Sequence, residues 1–221
     1  MALKDYNMQL ESLVTIFTAS DEELKVLLIK NDTEPYKGYW ILPGEKVRVE
    51  ETIEDNVTNV IYDKLGFKSL YIEQSYTYSG IERNPEGRVI AVNYIGLVDP
   101  VTLLIKKEEP TEVEANWFNI NELPKLGFDH EYIINKSLNI LSNKLRNVNY
   151  VKYLFPADFT LPEIEKVLSS IFNVSVDRRN FRKRLLKLDI IEETGEFSEG
   201  GSGRPAKLYR FKEDIKDINI F

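Results

Sequence analysis

Residues 43–66 contain a loop, an amphipathic helix and a helix stop in that order. Pro43-Gly44 predicts the loop, and Gly66 stands where the C-terminal end of a helix belongs. The apolar residues between them are Ile53, Val57, Val60, Ile61 and Leu65. Their spacing of i, i+4, i+7, i+8 and i+12 places them on one helix face. The segment therefore predicts a helix over 52–65 that packs against other elements.

Short apolar runs rich in β-branched residues lie on both sides of this helix. Residues 12–19 and 24–29 are separated by the turn signal 20–23 and predict a hairpin. Residues 88–98 are the strongest strand candidate, and 115–120 predict another short strand. The first part of the chain is therefore expected to combine strands with few helices.

A second helix is predicted over 130–146, and the chain after it reads helix, helix, hairpin. Thr160 and Glu163 form a capping box for a helix that runs to about Phe172. Asp177 is the predicted N-cap of the next helix.

That helix spans 178–188, and strands are predicted at 188–193 and 207–211 around the Gly/Ser loop 195–205. We place a domain boundary where the 130–146 helix ends. The predicted domains are 1–147 and 148–221.

Composition excludes several kinds of chemistry. The chain is 43% apolar and 29% charged, which is ordinary for a globular protein. It has no cysteine, which excludes disulfides, thiol catalysis and cysteine-bound zinc. With His130 as the single histidine, any metal would have to be Mg²⁺ or Mn²⁺ held by carboxylates. Without a signal peptide or a membrane-length apolar run, we expect a cytoplasmic protein with no membrane contact.

The net charge of −7 is unevenly distributed. Residues 1–150 carry 16 basic and 24 acidic side chains, whereas residues 151–221 carry 13 and 12. The acidic first part has no general attraction for nucleic acid. In the second part the basic residues are clustered, and clustering matters more than the total.

The predicted helix 178–188 carries six basic residues, which are Arg178, Arg179, Arg182, Lys183, Arg184 and Lys187. Phe181, Leu185 and Leu188 are spaced i, i+4 and i+7 and form its expected buried side. Lysine and arginine neutralise DNA phosphates, arginine reads guanine, and Asn180 is suited to adenine. The alternative is a basic surface helix that only faces solvent.

The loop after this helix favours the DNA-binding interpretation. Its glycines, Gly200, Gly201 and Gly203, allow close backbone approach, and Arg204 and Lys207 add charge at the tip. Helix, turn, basic helix and β-wing is the winged-helix order. The predicted DNA-reading set is Arg178, Arg179, Asn180, Arg182, Lys183, Arg204 and Lys207.

The segment LPGEKVRVEETIEDNVTNVIYDKLGF resembles the Nudix signature, G-x5-E-x7-R-E-U-x-E-E-x-G-U. Anchoring the match on Gly66-Phe67 places the first glutamate at Glu51 and puts Glu45 at the first glycine. Anchoring it on Gly44 fits Glu50 but places Leu65 at the closing glycine. We prefer the first alignment because the closing Gly-apolar pair ends the helix and fixes its phase.

In that alignment residues 59–64 replace R-E-U-x-E-E, the part that carries the metal-binding glutamates of Nudix hydrolases. Val60 and Lys64 replace two of three glutamates, and Asp63 remains. An ammonium group at a metal position repels the cation that hydrolysis needs. We therefore predict no catalytic residue, no metal site and no cofactor.

Other segments extend the resemblance over nearly the whole chain. YWILPG matches the lead into the box, and 81–98 and 115–130 resemble segments of Nudix-related regulators of the ADP-ribose-binding type. Residues 177–211 closely resemble the C-terminal domain of Nudix-related transcriptional regulators. The resemblance implies an α+β protein, in which a Nudix-type α/β/α sandwich with a mixed sheet precedes a winged helix. Members of that family are dimeric repressors that release operator DNA on binding ADP-ribose or a sugar.

The candidate ligand-binding residues are Trp40, Glu51, Asp63, Arg83, Arg88 and His130. Arg83 and Arg88 would grip a diphosphate bidentately; alternatively, both are solvated turn residues. Trp40 would stack on a base, or else belongs to the core. His130 is expected near the ligand pocket or in a structural role at a helix start.

Three functions remain open at this point. The first is a homodimeric regulator that binds operator DNA and a small effector, without catalysis. The second is an active hydrolase of ADP-ribose, with an unorthodox metal site formed by Glu50, Glu51, Glu54 and Asp63. The third is an interaction module without a small ligand, which leaves the Nudix scaffold unexplained.

Overall fold

The computed structural model describes residues 8–67, 70–100, 113–172, 178–198 and 205–212. The strands are β1 (Gln9–Ser20), β2 (Glu23–Lys30), β3 (Trp40–Ile41), β4 (Gly44–Lys46), β5 (Tyr71–Tyr78), β6 (Val89–Leu97), β7 (Ala115–Asn119), β8 (Asp158–Thr160), β9 (Ile191–Phe197) and β10 (Lys207–Phe211). The helices are α1 (Ile53–Asn59), α2 (His130–Lys144), α3 (Val148–Val151), α4 (Leu161–Phe172) and α5 (Arg178–Lys187). A π-helical turn, Val60–Lys64, continues α1.

The first sheet is mixed and has seven strands. β1 and β2 form the predicted hairpin, and Asp21 and Glu22 in its turn both have positive φ, as a tight two-residue hairpin turn requires. The strand order is β3-β2-β1-β6-β5, with β4 paired to β1 and β7 to β2. β1 and β6 run parallel, whereas the other pairs are antiparallel.

Alternate residues of β1 separate two layers of apolar contacts. Leu13 and Phe17 belong to the cluster that includes α2, whereas Val14 and Ile16 belong to the cluster that includes α1. The sheet therefore lies between α1 and α2, as in the predicted α/β/α sandwich.

The C-terminal part has its own three-stranded sheet, of order β8-β10-β9, with α4 and α5. Its buried residues Phe159 and Leu185 belong to the same apolar cluster as Phe17 and Leu141 of the sandwich. Lys166 of α4 also pairs with Glu22 of the β1–β2 turn. The winged-helix part thus packs against the α2 face of the sheet.

The structure confirms the predicted capping box, but it changes the end of one predicted helix and the start of one predicted strand. The Thr160–Glu163 capping box is present, with the Thr160 N–H donating to Glu163 Oε2 at 2.7 Å. The predicted helix 52–65 changes to π geometry at Val60, and the Leu65 N–H donates to the Val60 carbonyl at 3.1 Å. The strand predicted at 188–193 begins at Ile191 instead, because Asp189 has positive φ.

The predicted N-cap Asp177 lies outside the described residues. Within the described ranges, no helix has the length and apolar character needed to cross a membrane.

Candidate functional site

The exposed face of α5 presents the predicted DNA-reading residues. Phe181 and Leu185 are buried, and Leu188 is half-buried, as the periodicity predicted. The remaining described positions on this helix face solvent, and among them are Arg179, Asn180, Arg182 and Lys183. Burial of the apolar side fixes the orientation of the helix, so the polar and basic residues point away from the core. The side chain of Arg178, like residue Arg204, lies outside the described part of the chain.

The wing carries a paired lysine. Lys207 on β10 donates to Glu193 Oε2 on β9 at 2.7 Å, and Tyr209 Oη donates to the other oxygen of Glu193 at 3.3 Å. The hydrogen bond and the charge of Glu193 raise the pKa of Lys207. Lys207 therefore stays charged but shares its field with a carboxylate.

One position of the Nudix-like box where the signature has a metal-binding glutamate is buried in the core. Val60 is 1% exposed and packs with Ile61 beneath the sheet, whereas Asp63 faces solvent. No group of three His, Cys, Asp or Glu side chains is placed to hold a metal ion anywhere in the described ranges. Glu50, Glu51, Glu54 and Asp63 are all among the described residues and do not form such a group.

Lys64 forms an ion pair with Glu45 of β4. Both side chains are partly open to solvent, at 37% and 39% exposure. The pair joins strand β4 to the end of the π-helical turn.

Glu51 closes the box loop onto α1. Its Oε1 accepts the Arg48 N–H at 2.7 Å and the Asn56 amide at 2.8 Å. These bonds, that from Arg48 first, lower the pKa of Glu51. Asn56 in turn accepts the Ser12 hydroxyl at 2.6 Å, so β1 and the box are tied together through buried polar groups.

Arg83 is not a solvated turn residue, and that interpretation is wrong. Its side chain is 3% exposed; it donates twice to Asp129, at 3.2 and 2.9 Å, and once to Glu11 of β1. Burial raises the pKa of Glu11 and outweighs the attraction of Arg83. Arg88, in contrast, is half-buried and donates to the carbonyls of Ser79 and Gly80.

His130, the first residue of α2, is buried and accepts the Leu42 N–H through Nδ1 at 2.9 Å. Burial, with the nearby Arg83 charge, lowers the pKa of His130 to about 3. The imidazole is therefore neutral at physiological pH and carries its proton on Nε2. The bond ties the start of α2 to the chain just before the Pro43-Gly44 loop.

Trp40 is half-buried rather than open. Its ring packs edge-on to Phe118 at 4.7 Å between centroids, and the Lys30 ammonium lies 4.8 Å from the ring centre. One indole face is therefore engaged by the protein, which restricts how a base could stack on it.

The predicted ligand residues fall on two sides of the sheet. Trp40, Arg83 and His130 lie with the α2 layer, whereas Glu51 and Asp63 belong to the box on the α1 side. The sequence indicated these residues as ligand candidates, but it did not indicate on which side of the sheet each of them lies.

A model of the NUDIX domain matches residues 10–136, which is more than half of the chain. The chain belongs to the Nudix family. A model of the NrtR DNA-binding winged helix domain matches residues 151–211 of the same Nudix protein. The two matches make it a Nudix-related transcriptional regulator, as the sequence resemblance predicted.

Two curated relatives of this Nudix protein have different functions, since one is a repressor and the other is an enzyme. It is 30% identical to the ADPR responsive transcriptional repressor NtrR of Acinetobacter baylyi, over 94% of this chain and 83% of the relative. It is 36% identical to an ADP-ribose pyrophosphatase of Methanocaldococcus jannaschii, over 60% of this chain and 76% of the relative.

A solved relative has the same two-part architecture. Shewanella oneidensis NrtR, crystallised with a 27mer DNA, is 28% identical with a TM-score of 0.78. The match covers 93% of this Nudix regulator and 94% of that chain. The α+β fold, a Nudix sandwich followed by a winged helix, is thereby confirmed.

Sequence reasoning did not find Glu11 and Asp129 as ion-pair partners of Arg83, or Glu45 as the partner of Lys64. Each is an ordinary acidic residue in the sequence, and only the fold brings it to a cation. A usable signal for Glu45 was its place at a glycine of the Nudix signature, opposite Lys64 at a glutamate.

Proposed function

We propose that this chain is a transcriptional repressor that binds operator DNA through its winged helix and releases it when ADP-ribose binds the Nudix domain. A related nucleotide or a sugar is the alternative effector. The observation that carries the proposal is the match over 94% of the chain to an ADP-ribose-responsive repressor, with DNA-binding and Nudix modules in one polypeptide.

The proposed DNA-reading residues are Arg178, Arg179, Asn180, Arg182 and Lys183 on α5, with Arg204 and Lys207 from the wing. Support comes from the exposure of the described members on one helix while Phe181 and Leu185 are buried. A helix that presents basic residues outward from a fixed core can enter the major groove and neutralise phosphates.

The proposed effector-binding residues are Trp40, Glu51, Asp63, Arg83, Arg88 and His130. Arg83 already satisfies two carboxylates, so it would contact a ligand phosphate only by exchanging Glu11 or Asp129 for it. His130 accepts the Leu42 N–H through Nδ1 and would act by positioning the loop. Arg83 and His130 therefore form a buried unit on the α2 side of the sheet, opposite the box, and we propose that they respond to the effector through the sheet rather than hold its diphosphate.

Helix α2 supplies a physical connection between that unit and the DNA-binding part. It begins at His130, contributes Leu141 to the apolar cluster that also holds Phe159 and Leu185, and is followed by α3. A shift at its start would be transmitted to the packing under α5, because a close-packed core does not deform gradually.

The coupling is tested by fluorescence anisotropy with labelled DNA from upstream of the protein's own gene. ADP-ribose should weaken DNA binding, and DNA should weaken ADP-ribose binding by the same factor, because linkage is reciprocal. Calorimetry with and without DNA provides the second measurement. Equal ADP-ribose affinities in both titrations would rule out the switch.

The second candidate function is hydrolysis of ADP-ribose, which the 36% identity to a pyrophosphatase favours. We propose instead that the box is inactive, since Val60 is in the core and Lys64 is in an ion pair. Incubation with ADP-ribose and Mg²⁺ or Mn²⁺ should give no product above background. Turnover that disappears in Asp63→Ala would establish the hydrolase.

We further propose a homodimer and a boundary between domains 1–147 and 148–221. Support for a dimer is the need of winged-helix repressors to place two recognition helices on a two-fold site. Support for the proposed boundary is that residue 147 falls in the interval between the two matched regions, 10–136 and 151–211.

A further inference from the structure

The position where the Nudix box lost a metal ligand holds a positioned ammonium group. In the preferred alignment, anchored on Gly66-Phe67, Lys64 stands at a glutamate of the signature and Glu45 at its first glycine. The two side chains form an ion pair between β4 and the end of the π-helical turn. The box therefore has a lysine ammonium group at a position where the signature has a glutamate that binds a metal ion.

The surroundings of the pair favour an anion over a metal ion. Both side chains are partly exposed, so a solute can reach the ammonium. Val60 contributes no ligand because it is buried, and the Glu51 carboxylate already accepts two N–H groups. A hard divalent cation requires several oxygen ligands from the protein before it can bind a phosphate there. A lysine ammonium attracts a phosphate through its own charge.

We propose that Lys64, oriented by Glu45, replaces the divalent cation as the positive charge that faces the diphosphate group of the effector. The inference rests on the proposed function in taking ADP-ribose as effector, but its chemistry requires only a diphosphate. An ammonium donates charge-assisted hydrogen bonds to phosphate oxygens. It does not acidify a bound water as a metal does, so the ligand is held without being hydrolysed.

The test is calorimetry on the full chain with ADP-ribose, in EDTA and in excess Mg²⁺, and with inorganic pyrophosphate in EDTA. The parent should bind ADP-ribose with about the same affinity in both buffers. Lys64→Met keeps the apolar stem and loses the charge, so both probes should bind roughly tenfold or more weakly. Lys64→Arg keeps the charge and should retain most of the affinity.

Glu45→Gln is the matched control, because the glutamine amide oxygen can still accept a hydrogen bond from the Lys64 ammonium and orient it, while the competing negative charge is removed. It should bind both probes at least as tightly as the parent, which is the opposite direction from Lys64→Met. Equal melting temperatures would show that each variant is folded, as expected for half-exposed side chains.

The outcomes separate this inference from the proposed function. Equal binding of ADP-ribose by the parent and Lys64→Met overturns the role of Lys64 alone, as does tenfold tighter binding of the parent in Mg²⁺. Pyrophosphate binding that depends on Lys64, without ADP-ribose binding, supports the inference and overturns the effector. Failure of both probes to bind the parent overturns both.

Discussion

Arg83 and His130 lie in one buried region between β1 and the start of α2, yet they are held by different interactions. Arg83 balances two carboxylates, while His130 supplies a neutral acceptor to a backbone N–H. Each is therefore sensitive to a different perturbation.

Replacing Arg83 by alanine should lower the free energy of unfolding by about 3–5 kcal/mol, because Glu11 and Asp129 would then lack their buried counterion. The matched variant is Arg88→Ala, which removes donors to two carbonyls and should cost about 1 kcal/mol. Urea denaturation of both proteins measures the difference. Equal losses would show that the Arg83 cluster is solvated.

His130 should make stability depend on pH. In the unfolded chain the imidazole binds a proton below its ordinary pKa of 6.5, but the folded protein does not bind it until about pH 3. Its contribution is complete above about pH 6.5 and should fall by about 1.4 kcal/mol for each pH unit below that.

The control is His130→Gln, whose amide oxygen can accept the Leu42 N–H without titrating in this range. Chemical denaturation from pH 7 to pH 5 should show a smaller slope for the variant than for the parent. Identical slopes would mean that His130 is accessible to protons in the folded protein.

At the scale of elements, α5 combines an apolar side that fixes it to the winged helix with a basic side that faces outward. The double variant Arg179→Ala, Arg182→Ala should weaken DNA binding and flatten the dependence of log K on log salt by about one unit per lost phosphate contact. The buried residues are untouched, so the melting temperature should not change.

Lys166→Ala is the control for loss of a basic side chain outside α5, because Lys166 is an exposed base on α4 that pairs with Glu22. Anisotropy titrations at several salt concentrations compare the three proteins. If the double variant binds DNA as tightly as the parent, α5 is only a solvated surface and the assignment fails.

At the scale of the whole molecule, one apolar cluster runs from β1 through α2 to α5 and β10. The two parts are therefore packed together rather than joined only by a linker. Because of this packing, a structural change in the sandwich on effector binding would alter the position of α5 relative to DNA.

We expect the full chain, of 25.7 kDa, to sediment as a dimer held mainly through residues 1–147. Two recognition helices must be spaced about a helical turn of DNA apart, which a dimer provides. Fragment 1–147 should also sediment as a dimer. A monomeric fragment with a dimeric full chain would place the interface in the winged helix, and a monomeric full chain would exclude the dimer.

The sequence by itself determined the local features of this protein. The hairpin at 12–29, the faces of α2 and α5 and the Thr160 capping box follow from short-range patterns of apolar and capping residues. The family and the two-part fold followed from the resemblance of the box segment and of residues 177–211 to Nudix-related transcriptional regulators.

Only the tertiary structure decided which distant residues meet. Strands as short as β3, β4 and β8 have too few residues to show a pattern, and they form because neighbouring strands supply hydrogen-bond partners. The Arg83–Asp129, Lys64–Glu45 and His130–Leu42 contacts join residues far apart in sequence. Such contacts depend on sheet register and layer packing, which no local pattern encodes.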